Sequence, residues 1–286
     1  MRITRLTAVF LAVLALTLSA CVHKTPPSSQ NLTVHFIDVG QGDAILLDLG
    51  TTEVLIDGGE KNTGVEDYIK PYVDGPLDVM VATHFHADHI GGLINVLARY
   101  KIDNIWLNGE NATTATFKTF MNAVNAEGAN VHQAERGGTI RAGNLTFVIL
   151  NPGLPPATDP NNNSIVLNLR YGDTDFLFTG DAENITESRM LIQSIVPIPD
   201  IDILKVGHHG SMTASSPTFL DLIKPKAAVY SAGAGNTYGH PHRQTIINLS
   251  KIGAKIYGTD VHGTVVFSTD GTGYTIKTKK QAPVIR

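Results

Sequence analysis

His84, His86, Asp88 and His89 stand in the order His-x-His-x-Asp-His, directly after an apolar run. Residues 77–83 (Leu-Asp-Val-Met-Val-Ala-Thr) read as a buried strand, and Ile90-Gly91-Gly92-Leu93 opens a helical pattern through Tyr100. Two histidines one residue apart in an extended segment project from the same side, so His84 and His86 can share one metal. Asp88 and His89 then fall at the entry of the helix and can reach a second metal beside the first. Neutral imidazole and carboxylate are the ligands a zinc-like divalent ion takes, at roughly 2.0–2.2 Å.

One loop cannot complete a two-metal site, and three later segments offer the missing groups. Asp181 follows an apolar strand pattern at Thr179-Gly180-Asp181, where a glycine allows a sharp turn. A carboxylate there can bridge two metals, or it can cap the helix that follows. His208-His209 stand at another strand end; adjacent histidines diverge, so one can bind metal while the other faces substrate. His208, nearer the strand, is expected to be the ligand. His240, between Gly239 and Pro241, is a candidate proton donor, with His209 the other. With His242, two residues after His240, seven of the eleven histidines fall in three clusters, which favours a shared centre over separate structural roles. Asp43, between glycine-flanked turn residues, reads better as a turn residue than as a site residue.

Around these positions the chain alternates. Short β patterns at 32–38, 44–49 and 53–57 are broken by Gly40-Gln41-Gly42-Asp43 and Gly50-Thr51. Helical patterns near 64–72, 91–100 and 113–127 alternate with apolar runs at 77–82 and 104–107. A second β-rich block covers 145–150, 164–170 and 175–179, followed by alternating helices and strands from 183 onward. Strands at 255–258, 264–268 and 274–278 close the chain. Two β-rich blocks, each followed by helices, predict an α/β protein with two packed sheets and helices outside.

Asp57 in Leu55-Ile56-Asp57-Gly58-Gly59, the His84–His89 motif, Thr179-Gly180-Asp181 and Val206-Gly207-His208 resemble the ordered motifs of the metallo-β-lactamase superfamily. A closer resemblance is to the soluble metallo-β-lactamase-like domain that ends the bacterial DNA-internalisation competence protein. It is carried by Phe36-Ile37-Asp38-Val39-Gly40-Gln41-Gly42-Asp43, Asn162-Asn163-Ser164-Ile165-Val166-Leu167, residues 204–211 and Asn236-x-Tyr238-Gly239-His240-Pro241. The similarity covers residues 32–278, without the membrane channel of that protein, so transport is not implied. It implies a four-layer αββα sandwich with a dinuclear site at one edge. His84, His86, Asp88, His89, Asp181 and His208 would be the metal ligands, and Asp57 and Asn163 would support them from behind. One departure stands out: where the superfamily usually has another histidine, this chain has Asn161-Asn162-Asn163-Ser164.

Two divalent ions, Zn or Mn, about 3.5–4 Å apart can hold a bridging hydroxide and clamp both oxygens of a displacement. Asp88 can also accept a hydrogen bond from that hydroxide. The expected activity is therefore a metallohydrolase, a phosphodiesterase or nuclease acting on DNA or another phosphodiester. The rival readings are a phosphocholine or cell-wall phosphodiester esterase and, from another class, a non-catalytic DNA-receptor module. A β-lactam, lactone or thioester hydrolase is disfavoured, because the closer motifs point elsewhere.

The amino terminus reads as an address. Arg2 and Arg5 precede an apolar stretch from Leu6 to Leu18, too short to span a membrane comfortably. Leu18-Ser19-Ala20-Cys21 resembles the lipobox of bacterial lipoproteins, and Cys21 is the only cysteine. The expected organisation is a signal peptide at 1–20, a lipidated Cys21 with a flexible tether to 31, and one hydrolase domain at 32–286. That places the protein on the extracytoplasmic face of a bacterial membrane, held by its lipid. Residues 201–286 carry ten Lys/Arg against four Asp, whereas the chain as a whole has net charge −4. The basic third either flanks the site and attracts a polyanion or is uneven surface decoration. The acidic remainder argues against strong non-specific nucleic-acid binding.

Overall fold

The computed structural model describes residues 30–193, 198 and 200–285; the signal and Cys21 expectations lie outside them. The chain first builds β1 (Leu32–Phe36), β2 (Ile45–Asp48), β3 (Glu53–Ile56), β4 (Leu77–Val81), β5 (Ile102–Leu107) and β6 (Asn130–Gln133). It then crosses to β7 (Thr139–Ala142), β8 (Leu145–Asn151), β9 (Val166–Tyr171), β10 (Thr174–Phe178), β11 (Ile203–Lys205), β12 (Ala227–Tyr230) and β13 (Lys255–Gly258). Finally β14 (Val265–Thr269) and β15 (Tyr274–Thr278) return to the first sheet, where β14 pairs antiparallel with β1. The two sheets run β15-β14-β1-β2-β3-β4-β5-β6 and β13-β12-β11-β10-β9-β8-β7.

Each sheet is antiparallel at one end and parallel at the other. Parallel neighbours need crossover connections, usually helical. In the first sheet α1 (Val65–Tyr68), α2 (Ala87–Leu97) and α3 (Ala115–Glu127) connect β3 through β6. In the second, α4 (Asn184–Gln193), α5 (Pro217–Ile223) and α6 (Arg243–Lys251) connect β10 through β13. A short α7 (Thr259–His262) leads into β14.

The alternation of strand side chains assigns the layers. Val79 and Val81 of β4 face the other sheet and join Phe36, Phe147, Phe176, Phe178 and Phe267 in the central core. Met80 and Ala82 face outward and cluster with Leu93 and Val96 of α2 and Phe120 of α3, joined by Leu77 at the strand's start. On the far side Leu204 and Ala228 pack under Phe219, Leu220 and Leu249. Both faces of the central strands are thus covered, which explains their nearly unbroken apolar runs. Burying one such Val or Leu side chain contributes about 1.5–3 kcal/mol. This is the expected four-layer αββα sandwich. No helix among the described residues is long and apolar enough to cross a membrane.

Two strands have no counterpart in the sequence reading: β6, mostly exposed, and β7, with alternating exposure. Both are edge strands, and their polar sequences carry little strand pattern. The helix expected at 91–100 starts earlier, at Ala87, so Asp88 and His89 lie in its first turn.

Candidate metal centre

The loops after β3, β4, β10 and β11 leave the carboxyl ends of parallel strands, the usual ligand edge of such sheets. Asp57 stands immediately after β3 with φ 57°, a left-handed turn that sends its carboxylate across to β4. Its Oδ1 accepts from the Thr83 backbone N–H at 2.8 Å, and its Oδ2 accepts from the Thr83 hydroxyl at 2.7 Å. The same Oδ2 lies 2.8 Å from His89 Nδ1. A Nδ1–H donated to this carboxylate leaves the His89 Nε2 lone pair facing inward. Asp57 thus holds His89 from its Nδ1 side, away from Asp181.

Asp181 is the hub. Its Oδ2 lies 3.2 Å from His89 Nε2, 3.3 Å from His209 Nε2, and 3.8 Å from both His84 Nε2 and His208 Nε2. Its own N–H donates to Ser164 Oγ at 3.1 Å, which orients the turn after Gly180. His84 Nε2 and His86 Nδ1 are 3.0 Å apart, so the two rings of the His-x-His pair converge as their spacing predicts. Ligand atoms of His84, His86 and Asp181 lie within 4.8 Å of one another; so do those of Asp43, His89, Asp181 and His209.

The adjacent pair reverses the expected roles. His209, not His208, enters the buried group: its Nε2 is also 3.2 Å from Asp88 Oδ2. The cause is backbone. After β11 the chain makes a tight turn in which His208, His209 and Gly210 all have positive φ (45°, 54° and 85°), rotating His209 inward. His208 remains partly exposed at the rim, its Nδ1 3.0 Å from Glu183 Oε1.

His240 lies beside the centre, its ring 5.5 Å from His208 and 6.0 Å from His209. Burial, and then the charges of His209 and His208, push its pKa down to about 4. It lies outside the two groups of converging ligand atoms, and its buried Nδ1 has no hydrogen-bond partner. Asn163 departs from its expected role. Its amide donates to Glu110 Oε1 (2.6 Å) and the Ala157 carbonyl (2.8 Å), and its Oδ1 accepts from the Ala157 N–H (2.7 Å). All of that capacity pins the loop before β9 rather than any ligand; Ser164 is the residue of this stretch that reaches the centre.

Asp43 is the residue the sequence undervalued. It is buried, its Oδ1 lies 3.3 Å from His209 Nδ1, and its Oδ2 lies 2.7 Å from Lys205 Nζ. The Ser231 carbonyl is 3.0 Å from the same His209 Nδ1, so the ring has two acceptors behind it and its Nε2 faces Asp88 and Asp181. Asp43 therefore sets a charge behind His209, while the Ser231 carbonyl takes the ring's hydrogen bond. The Gly-Gln-Gly-Asp turn makes this possible: a Cβ at Gly42, where φ is 122°, would sit 2.2 Å from the Asp88 carbonyl oxygen.

The electrostatics call for a cation. Burial alone would lower the His89 and His209 pKa values, but the Asp181 carboxylate, with Asp57 or Asp43, overrides it and holds both well above the ordinary range. Burial would likewise raise Asp181, yet His209 and His89 keep it well below the usual carboxylate range. The buried atoms His89 Nε2, His209 Nε2 and Asp181 Oδ1 have no hydrogen-bond partner. Unsatisfied buried nitrogen and carboxylate oxygen, converging from several elements, fit a divalent metal. The basic third does not present all its charge to this site: Lys205, Lys226 and Lys280 pair with Asp43, Asp202 and Asp38.

Comparison with known proteins agrees with this geometry. ComE operon protein 3 of Bacillus subtilis (strain 168) is 29% identical over 262 residues, covering 85% of this chain and 34% of that protein. Competence protein ComA of Neisseria gonorrhoeae is 30% identical over 233 residues, covering 80% and 31%. The chain thus spans about a third of the length of these curated relatives. The metallo-beta-lactamase fold protein YhfI from Bacillus subtilis shares the fold, with a TM-score of 0.57 and 14% identity over 84% of this chain and 100% of that one. Residues 37–234 match the Metallo-beta-lactamase superfamily, from the end of β1 through the turns that carry Asp181, His208 and His209. The chain belongs to the metallo-beta-lactamase superfamily.

Proposed function

We propose that this chain is a metal-dependent hydrolase of phosphodiesters, with DNA or another nucleic acid as substrate. The observation that carries the reading is the convergence of two ligand groups on one buried carboxylate, Asp181, with unpartnered ring nitrogens around it. Two divalent ions bound there, Zn²⁺ or Mn²⁺, supply Lewis acidity and a water activated near neutral pH. The chain's residues set the geometry. His84 and His86 form one side, while Asp88, His89 and His209 form the other, and Asp181 lies between them. Asp57 and Asp43 fix two of the imidazoles from behind. Asp88, partly exposed, can hold an attacking water by hydrogen bond. His240, beside His208 and His209 with its Nδ1 unpartnered, would hydrogen-bond a phosphoryl or leaving oxygen. The resemblance to the DNA-internalisation competence domain favours nucleic acid among the phosphodiesters.

The deciding experiment takes the purified full chain, strips it with chelator and reloads it with Zn²⁺ or Mn²⁺. It is then assayed on single-stranded DNA, duplex DNA, bis-p-nitrophenyl phosphate, p-nitrophenyl phosphocholine and nitrocefin. Metal-dependent cleavage of DNA and of the bis-aryl diester supports the reading. Turnover of the phosphocholine ester alone moves the function to a headgroup or wall esterase. No turnover, together with no metal bound, leaves the DNA-receptor alternative.

The same proposal places the enzyme on the outer side of a bacterial membrane, held by a lipid on Cys21. Cys21→Ser should abolish acyl labelling and release the protein from the membrane fraction, because a signal of this length anchors only through added chains. Retention of the variant at wild-type levels overturns the lipid anchor.

A further inference from the structure

Tyr238 is 63% exposed, although it sits on one of the most firmly held loops of the site. Asn236 organises that loop. Its Nδ2 donates to the Gly233 carbonyl (2.9 Å) and the His240 carbonyl (2.6 Å), while its Oδ1 accepts from the N–H groups of Tyr238 (3.1 Å) and His240 (3.0 Å). The Tyr238 ring lies 5.7 Å from the His240 ring at an interplanar angle of 18°. His240 in turn lies 6.0 Å from His209 at 34°, and His209 lies 5.2 Å from His89 at 37°. Tyr238 thus stacks on His240, which adjoins the buried ligand group through His209, and Tyr238 is the outermost of these rings.

A tyrosine held in this way keeps an aromatic face open to solvent. Stacking on a nucleobase is the use such a face best fits, since every base has a π-face and stacking needs no particular sequence. Resting on the phosphodiesterase reading above, we infer that Tyr238 is a stacking platform for a nucleobase of a single-stranded substrate, next to the phosphate held at the metal centre. Tyr238 does not touch the reacting atoms; it decides which diesters are held well.

The test uses the full chain, with Tyr238→Ala and Tyr238→Phe, and two single-stranded oligonucleotides of equal length. One has intact bases and the other has abasic sites throughout. On the metal-loaded protein, Tyr238→Ala should raise KM for the intact strand by roughly five- to a hundredfold, and Tyr238→Phe should restore it. KM for the abasic strand should be high and should not respond to either substitution. A separate arm uses chelator-treated protein and an oligonucleotide carrying 2-aminopurine. Its fluorescence should be quenched on binding to wild type and to Tyr238→Phe, and not on binding to Tyr238→Ala. Equal KM changes on both strands, or quenching that survives in Tyr238→Ala, overturns the inference while leaving hydrolysis intact. Quenching that depends on Tyr238, in a protein that cleaves neither strand when metal-loaded, keeps the platform and overturns the hydrolase reading.

Discussion

Lys205 Nζ and Asp43 Oδ2 are 2.7 Å apart, both fully enclosed, and they belong to opposite sheets of the sandwich. Lys205 ends β11; Asp43 lies in the turn between β1 and β2. The ammonium also donates to the Val206 carbonyl at 2.9 Å. Burial would raise the Asp43 pKa, but Lys205 overrides it and keeps the carboxylate charged behind His209.

Breaking this pair from one side strands a buried charge. Lys205→Met should therefore cost about 3–5 kcal/mol in urea unfolding of the metal-free protein. The double variant Lys205→Met/Asp43→Leu removes both charges and should recover much of that loss. Additive losses would show that the two residues are not coupled.

His209 and His208 should separate in metal content. His209→Ala removes a nitrogen from the buried group, so elemental analysis should show a lower metal content and weaker Co²⁺ absorption. His208→Ala should retain both, since His208 lies partly exposed at the rim, outside the two groups of converging ligand atoms. If His208→Ala alone loses metal, the roles assigned from the turn geometry are reversed.

Asp57→Asn tests the support of His89. The amide keeps the shape but presents a weaker acceptor, and it can turn a donor toward Nδ1. Metal affinity should fall about 10- to 100-fold with the fold preserved, as titration with a competing chelator would show. An unchanged affinity would mean that Asp57 serves only to hold Thr83.

His35 supplies an acid-sensitive element remote from the centre. It is buried, with Thr33 Oγ1 and the Tyr68 hydroxyl each 2.8 Å from a ring nitrogen, and burial pushes its pKa down to about 4. Between about 6.5 and 4 the unfolded chain takes up a proton that the folded chain refuses. The stabilisation is complete above 6.5 and is lost as pH falls toward 4, in total about 3 kcal/mol. His35→Phe should flatten the acid limb of stability measured by urea unfolding across this range. Parallel wild-type and variant limbs would place the acid sensitivity elsewhere.

Much of this protein is legible from sequence because its signals are local. The His-x-His-x-Asp-His spacing sets two rings on one side of an extended segment and an Asp-His pair in a helix's first turn, which needs no distant information. The apolar runs at 79–82 and 176–178 likewise announce strands covered on both faces. Local signals end where a backbone turn or a distant partner decides. The inward rotation of His209 follows from three successive positive-φ residues, which no side-chain pattern displays. Asp43 looks like a turn residue until the second sheet brings Lys205 against it, and Asn163 looks like a support for the ligands until Glu110 and Ala157 claim its amide. The return of β14 and β15 to β1 is a similar case. The sequence by itself determined which chemistry is present and on which elements it rides. Only the tertiary structure decided which atoms face one another, because that depends on packing between segments far apart in the chain.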